Sequence, residues 1–172
     1  MATLVDVSYF TSGPRQVRNA SVAQMPQMDS VAVNGAIVGY VKALQDKYLA
    51  GLLGYDLGMR IVGYLGSGEP EQEEAENLHS GYEAVCGRIR ESFADYVFFH
   101  ILRDMNTYAT ITGLVQLKCA DKYVSPIHKQ VTTWNSMVER NRLFVCWAST
   151  DECPFHVITD KNLMTPINAF NL

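Results

Sequence analysis

With 172 residues, of which 48% are hydrophobic, the chain has the length of one domain and can bury a substantial core. Its formal net charge of −4 argues against a protein that wraps nucleic acid electrostatically. No apolar run approaches the roughly 20 residues of a membrane span, and the first residues lack the features of a signal peptide. We therefore expect a chain that is made in the cytosol and has no membrane partner.

The first part of the chain, residues 1–26, has little periodicity and contains two prolines, which is typical of an extended arm. Within it we expect a strand at Leu4–Tyr9 and a turn at Ser12–Pro14. Two arginines of this arm, Arg15 and Arg18, are candidate partner contacts.

The body, residues 27–150, has apolar residues at three- and four-residue spacing, which predicts α-helices. The expected helices span residues 29–50, 55–66, 71–90, 91–112 and 128–148. The fourth is apolar almost all round its first half, so we expect it at the centre of a bundle. Trp134 should pack against this central helix. Gly35 and Gly39, four positions apart, would allow close approach of another helix, from this subunit or from a neighbouring one.

The helical pattern fails at residues 113–127, where the sequence predicts two short strands or an ordered loop. Lys118, Asp121 and Lys122 would lie at its tip, and the two lysines are candidate partner contacts. The fold class is therefore mainly α: a bundle of four to five helices with extended N- and C-terminal arms and one short β-hairpin or loop.

Residues 151–172 form the C-terminal arm, which has too many apolar side chains for a free terminus. It needs a surface, either the body of its own subunit or a neighbour. We expect it to be flexible in a monomer and ordered in an assembly. Its candidate partner contacts are Phe155, Leu163, Ile167 and Phe170.

The sequence lacks common catalytic and nucleotide-binding motifs: it has no P-loop, no dinucleotide-binding glycine motif and no nucleophile elbow. Cys146, Cys153 and His156 lack the two close ligand pairs of a structural zinc site. We predict no catalytic residue, no metal and no cofactor. An alternative is a small cytosolic ligand-binding or enzymatic domain built around the helix that carries His100 and Asp104, four apart and able to pair. A helical DNA-binding regulator would need a basic recognition helix, which the sequence lacks.

Several segments of the chain form a recognisable series. The first helix ends in KYLAGLLG and is followed by DLGMRIVGYL. The arm reads YFTSGPRQVRNA, and the later segments read TYATITGLVQLKCAD, VSPIHKQVTTWNSMVERN and TPINAFNL. Taken together, these segments resemble the small helical head–tail connector proteins of tailed bacteriophages, above all those of phages with Bacteroides-like hosts. The resemblance covers nearly the whole chain.

This resemblance implies an adaptor, or head-completion, protein of the virion that forms a ring, usually dodecameric, beneath the portal protein. Such a ring is made in the host cytoplasm, extends the DNA channel and docks the next neck or tail ring protein. It needs no catalysis and no cofactor. Genomic DNA would pass through without sequence-specific binding, and a net negative charge suits a channel that does not grip the duplex.

Overall fold

The computed structural model describes residues 3–23, 28–67, 75–104, 107–110, 113–116 and 126–170. Its α-helices are α1 (Met28–Leu53), α2 (Tyr55–Ser67), α3 (Ala75–Asp104) and α4 (Ile127–Ala148). An antiparallel hairpin of β1 (Thr107–Thr110) and β2 (Gly113–Gln116) follows α3, with Thr107 opposite Gln116. Short 3₁₀ helices occur at Val7–Phe10, Gly13–Arg15 and Lys161–Met164. The predicted fold class, a mainly α bundle, is confirmed.

Helix α3 is the centre of the bundle, because every residue from Ser92 to Phe99 is buried. It packs against both α1 and α4. The prediction of two helices, 71–90 and 91–112, was wrong: one helix runs through residues 90 and 91, where no glycine or proline interrupts it. It ends at Asp104 rather than 112, and the threonine-containing segment Thr107–Thr110 forms a strand, as β-branched residues favour.

A buried polar cluster joins the three long helices. The hydroxyl of Tyr48 on α1 donates to Asn141 Oδ1 on α4 at 2.8 Å and lies 2.6 Å from Ser92 Oγ on α3. Asn141 Nδ2 in turn donates to the carbonyl of Leu163 in the C-terminal arm at 3.0 Å. Burial raises the pKa of Tyr48, so this hydroxyl stays a neutral donor. The cluster fixes the register of the helices because each buried polar group needs its partner.

The N-terminal arm is folded onto the body rather than extended. The predicted strand at Leu4–Tyr9 was wrong, because Asp6 caps a 3₁₀ helix there: its carboxylate accepts from Ser8 N at 2.8 Å. Phe10, at the end of that helix, is completely buried. The backbone N–H of Leu4 donates to Gln45 Oε1 on α1 at 2.7 Å. The arm therefore contributes to the core of its own subunit.

The C-terminal arm is also docked, which differs from the flexible arm expected for a monomer. It caps the end of α1: Ile158 N, Thr159 Oγ1 and Asp160 N donate to the carbonyls of residues 53, 52 and 51, at 3.4, 2.8 and 2.7 Å. A helix leaves its last four carbonyls without internal partners. The arm supplies partners for three of them, at the point where Gly54 turns the chain with a φ of 85°.

Side chains of α4 hold the other side of this arm. Trp134 Nε1 donates to the Thr165 carbonyl at 2.9 Å, and Asn135 exchanges two hydrogen bonds with the backbone of Ile167, at 3.0 and 2.9 Å. Arg142 donates to the carbonyl of Met164 at 3.0 Å. An extended segment exposes its backbone groups, and here the polar side chains of a neighbouring helix satisfy them. None of the described helices has the length and apolarity that crossing a membrane requires.

Candidate functional site

Helices α1, α3 and α4 and the C-terminal arm enclose a cleft of about 510 Å³. Its wall is aromatic, formed by Tyr96 and Phe99 of α3 and Trp134 of α4. The ring centroids of Phe99 and Trp134 are 4.8 Å apart, and those of Tyr96 and Trp134 are 6.2 Å apart. The prediction that Trp134 packs against the central helix is thus confirmed, with the added finding that the indole borders an open space.

The polar side of the cleft carries His100 and Arg103 of α3 and Lys47 of α1. Nε2 of His100 is buried and has no hydrogen-bond partner. Burial lowers the pKa of His100 below its ordinary value of 6.5; Asp104 opposes this shift, while Lys47 and Arg103 add to it. Asp104, the partner suggested for His100 by the sequence, accepts a hydrogen bond from Tyr40 at 3.1 Å. The imidazole is therefore neutral at pH 7, with one nitrogen unsatisfied.

The two cationic side chains at the cleft, Lys47 and Arg103, can bind a ligand. Lys47 and Arg103 are both exposed, and neither forms an ion pair with another residue in the described ranges. The carboxylate at the cleft, Asp160, is engaged by Asn162, whose N and Nδ2 donate to it at 2.9 and 3.3 Å. This contact caps the 3₁₀ helix Lys161–Met164. The cleft accordingly carries an excess of positive charge.

A buried carboxylate, Asp95, links the N-terminal arm to the bundle. Arg15 Nη1 donates to it at 3.1 Å, Arg140 forms an ion pair with its other oxygen, and Arg15 also pairs with Glu91. The Asp95 side chain is only 7% exposed. Burial raises the pKa of this carboxyl, and the guanidinium groups of Arg140 and Arg15 counteract that effect. Arg15 is thereby used within its own subunit.

The sequence also suggests three other basic residues as partner contacts. Arg18 is exposed and stays available for a partner. Lys118 and Lys122 lie outside the described residues, so their nomination stays a prediction.

The four apolar residues of the C-terminal arm that were predicted to contact a partner have different surroundings. Phe155 is half-buried and stacks on Tyr82, with ring centroids 5.1 Å apart and planes inclined by 12°. Leu163 is buried in its own subunit and Ile167 is half-buried at the cleft. Phe170 is 99% exposed. Only Phe170 is free to contact a partner without movement of the arm.

The residues suggested by a zinc pattern do not gather. Cys146 and His156 are exposed, and Cys153 Sγ donates to the carbonyl of Phe155 at 3.5 Å. In the part of the chain that the structure describes, no three histidine, cysteine or acidic side chains are grouped to hold a metal ion.

Most of the exposed apolar side chains in the described residues fall into two groups, one at each end of α1, while Ile127, Leu143 and Phe170 belong to neither. The first, which we call the α1-start patch, consists of Val22, Met28 and Val31. Asn34 binds the backbone of Ser21 at 2.7 and 3.2 Å, which holds Val22 beside the start of the helix.

The second group, the α1-end patch, consists of Tyr55, Met59 and Ile158. Tyr55 and Met59 are four apart on α2, so they lie on one face. A side chain at Gly54 would meet Ile158 at 3.4 Å, which places Ile158 beside the turn that precedes Tyr55. At 1.5 Å per residue, the two patches are about 33 Å apart along α1.

Between the patches, α1 presents small residues to solvent. A side chain added at Gly35 or at Gly39 would meet nothing within 4 Å. The close helix contact predicted for this pair is therefore not made within the described part of this subunit. A contact with a neighbouring subunit stays a prediction.

Sequence gave a signal for some of these features and not for others. His100 was singled out, but Lys47 and Trp134 were not joined to it, because they come from other helices. Arg103 was missed although it lies three positions after His100 on the same helix, a spacing that places both on one face.

Comparisons of the chain with protein-family models, with curated proteins and with solved structures yield no significant match.

Proposed function

We propose that this chain is a structural subunit of a head–tail connector ring in a tailed bacteriophage, docking under the portal protein and carrying the next neck or tail component. The proposal starts from the resemblance of nearly the whole sequence to such connectors. A mainly α body with both arms folded onto it is compatible with a rigid ring subunit. The net charge of −4 suits a channel through which DNA slides.

The observation that carries the proposal is the separation of the α1-start and α1-end patches. Met28 is 91% exposed and Tyr55 is 72% exposed, although large apolar side chains gain about 1.5–3 kcal/mol each on full burial. Two different patches on one subunit permit a head-to-tail contact, which closes into a ring when the rotation between neighbours allows it. In this ring, the α1-start patch of each subunit contacts the α1-end patch of its neighbour. The exposed small residues of α1 lie between the two patches of each subunit.

Electron microscopy of the purified protein, alone and with its portal protein, tests the proposal directly, and we expect rings. A mixing experiment then tests the interface. One variant carries Met28→Lys and Val31→Lys in the α1-start patch, and the other carries Tyr55→Lys and Ile158→Lys in the α1-end patch. Each variant alone should be monomeric in light scattering, because burying an unpaired lysine is unfavourable.

An equimolar mixture of the two variants should form heterodimers and nothing larger, because each pair retains one intact interface. Leu143→Lys, which changes an exposed apolar residue of α4 outside both patches, serves as the control and should still form rings. Rings that persist in both double variants would contradict this interface. Failure of the wild-type chain to assemble, with or without the portal, would overturn the proposed function.

A further inference from the structure

The cleft between α1, α3, α4 and the C-terminal arm has features that the packing of the subunit does not require. A fold usually satisfies its buried polar groups, yet His100 Nε2 has no hydrogen-bond partner. Lys47 and Arg103 border the same space without an ion pair to any described residue. An unsatisfied nitrogen beside two unpaired cations indicates a place for a negatively charged group.

The size and the lining of the cleft indicate what kind of molecule would carry this negatively charged group. Its volume of about 510 Å³ lies in the range of small-molecule sites, roughly 300–1,000 Å³. Tyr96, Phe99 and Trp134 line the cleft, and an aromatic lining favours a flat aromatic group in stacked or edge-on contact. Leu163 and Ile167 of the arm add an apolar floor.

The site is built from rigid elements rather than from a loop. Lys47 is on α1, His100 and Arg103 are three apart on α3, and Trp134 is on α4, so three packed helices fix the cationic and aromatic sides. The indole orientation is set by its hydrogen bond to Thr165 at 2.9 Å. A site held in this way needs little reorganisation to bind, which favours affinity.

We propose that this cleft binds a small molecule with a flat aromatic ring and one anionic group, a carboxylate or a phosphate. The ring lies against Trp134 and Phe99. The anionic group lies between Lys47 and Arg103, whose guanidinium can donate two parallel hydrogen bonds to either anion. The imidazole of His100 borders the same space, and a small rotation of the ring would bring its buried Nε2–H to the anionic group. This site does not depend on ring assembly and stands or falls separately from it.

The two tryptophans allow a direct test by ¹H–¹⁵N NMR of their indole N–H signals. Trp134 borders the cleft, whereas the indole of Trp147 donates to Glu152 at 3.1 Å and lies under Arg88, so it is an internal control. Trp147→Phe assigns the two signals. The probes are benzoate with its neutral analogue benzamide, and adenosine monophosphate with its neutral analogue adenosine.

We expect one or both anions to shift the Trp134 signal saturably while the Trp147 signal stays in place. Each neutral analogue should bind about tenfold more weakly, the effect of losing about 1.4 kcal/mol of charge-assisted bonding. The anion with the larger gain in affinity over its own neutral analogue identifies the anionic group as a carboxylate or a phosphate.

Charge variants complete the test. Lys47→Gln and Arg103→Gln change exposed side chains, so the fold should be kept, and each should weaken anion binding about tenfold. Lys42→Gln, an exposed lysine on α1 that does not line the cleft, should leave binding unchanged. The proposal is overturned if neither anion shifts Trp134 at about 10 mM, where a site with a dissociation constant of about 1 mM is nearly saturated. Equal binding of neutral and anionic probes, or unchanged binding in both cleft variants, overturns it as well.

Discussion

The N-terminal and C-terminal arms are both folded onto the helical body, but different chemistry holds each of them. The N-terminal arm forms ion pairs with the body, through Arg15 on the buried carboxylate of Asp95, in addition to the neutral bond from Leu4 to Gln45. The C-terminal arm is held mainly by neutral groups, through the amides of Asn135 and Asn141 and the capping of α1; the guanidinium of Arg142 is the charged exception. Two segments that look alike in sequence, both irregular and both rich in apolar residues, are therefore anchored in ways that respond differently to salt and to mutation.

This difference shows why irregular periodicity is a poor guide to where a segment lies. Both arms lack the spacing of an amphipathic helix, which suggested that their apolar side chains wait for a neighbour. In the structure, Phe10 and Leu163 are buried by their own subunit. An arm can be part of a core without regular secondary structure when side chains elsewhere satisfy its backbone.

The largest effect should come from removing the C-terminal arm. A chain that stops after Asp151 loses Leu163 from the core, the caps of α1 and the partner of Asn141, a combined loss of more than about 5 kcal/mol, comparable to the stability of a whole domain. We expect it to be unfolded or aggregated by circular dichroism and gel filtration. A chain that stops after Asn168 keeps the docked segment and loses the fully exposed Phe170, so it should melt like the full chain. A cooperative melt of the shorter chain would mean that the arm is not part of the core.

A smaller effect is expected from the neutral anchor alone. Asn141→Ala leaves the carbonyl of Leu163 without its buried partner and the hydroxyl of Tyr48 with Ser92 alone, so the free energy of unfolding should fall by about 3 kcal/mol. Urea unfolding measures this difference, which should be the same at low and high salt. Asn135→Ala, at a half-buried position where water can replace the side chain, should cost only about 1 kcal/mol. Equal losses for the two variants would show that burial does not decide the strength of this anchor.

The smallest effect is expected from the charged anchor. Arg15→Gln removes a half-exposed ion pair and a buried one but leaves Arg140 on Asp95, so we expect a loss of about 2 kcal/mol. Because Glu91 is half-exposed, part of this loss should vanish in 1 M salt, at a Debye length of about 3 Å. Arg18→Gln changes the exposed arginine of the same arm and should have no measurable effect on unfolding. A loss for Arg15→Gln that salt does not reduce would assign the anchor to packing rather than charge.

Sequence predicted most of the helical body, because apolar spacing and breaks are local properties. The expected helices 29–50, 55–66 and 128–148 differ from α1, α2 and α4 by no more than three residues at either end. The false boundary at residues 90 and 91 had no helix-breaking residue to support it. The hairpin was expected within 113–127, but its first strand lies earlier, at Thr107–Thr110, since a strand of four residues has too few positions to establish a period.

The candidate site was much harder to predict. His100 was noticed because it stands out on an apolar helix, but the cleft beside it also needs Lys47, Trp134 and the C-terminal arm. These residues are brought together only by the packing of three helices. The arm itself reaches α1 through a hydrogen bond between residues 107 positions apart. No pattern within a short window contains that information.

That separation has a consequence for the order in which the molecule forms. The carbonyls at the end of α1 meet their partners only after the ribosome has added another hundred or so residues, which takes roughly 5–20 s at 5–20 residues per second. Until then α1 is frayed at its end, and contacts so distant in sequence form late in folding. The C-terminal arm is therefore the last segment to dock on the helical body. The subunit can complete its fold only after Ile167 has been synthesised.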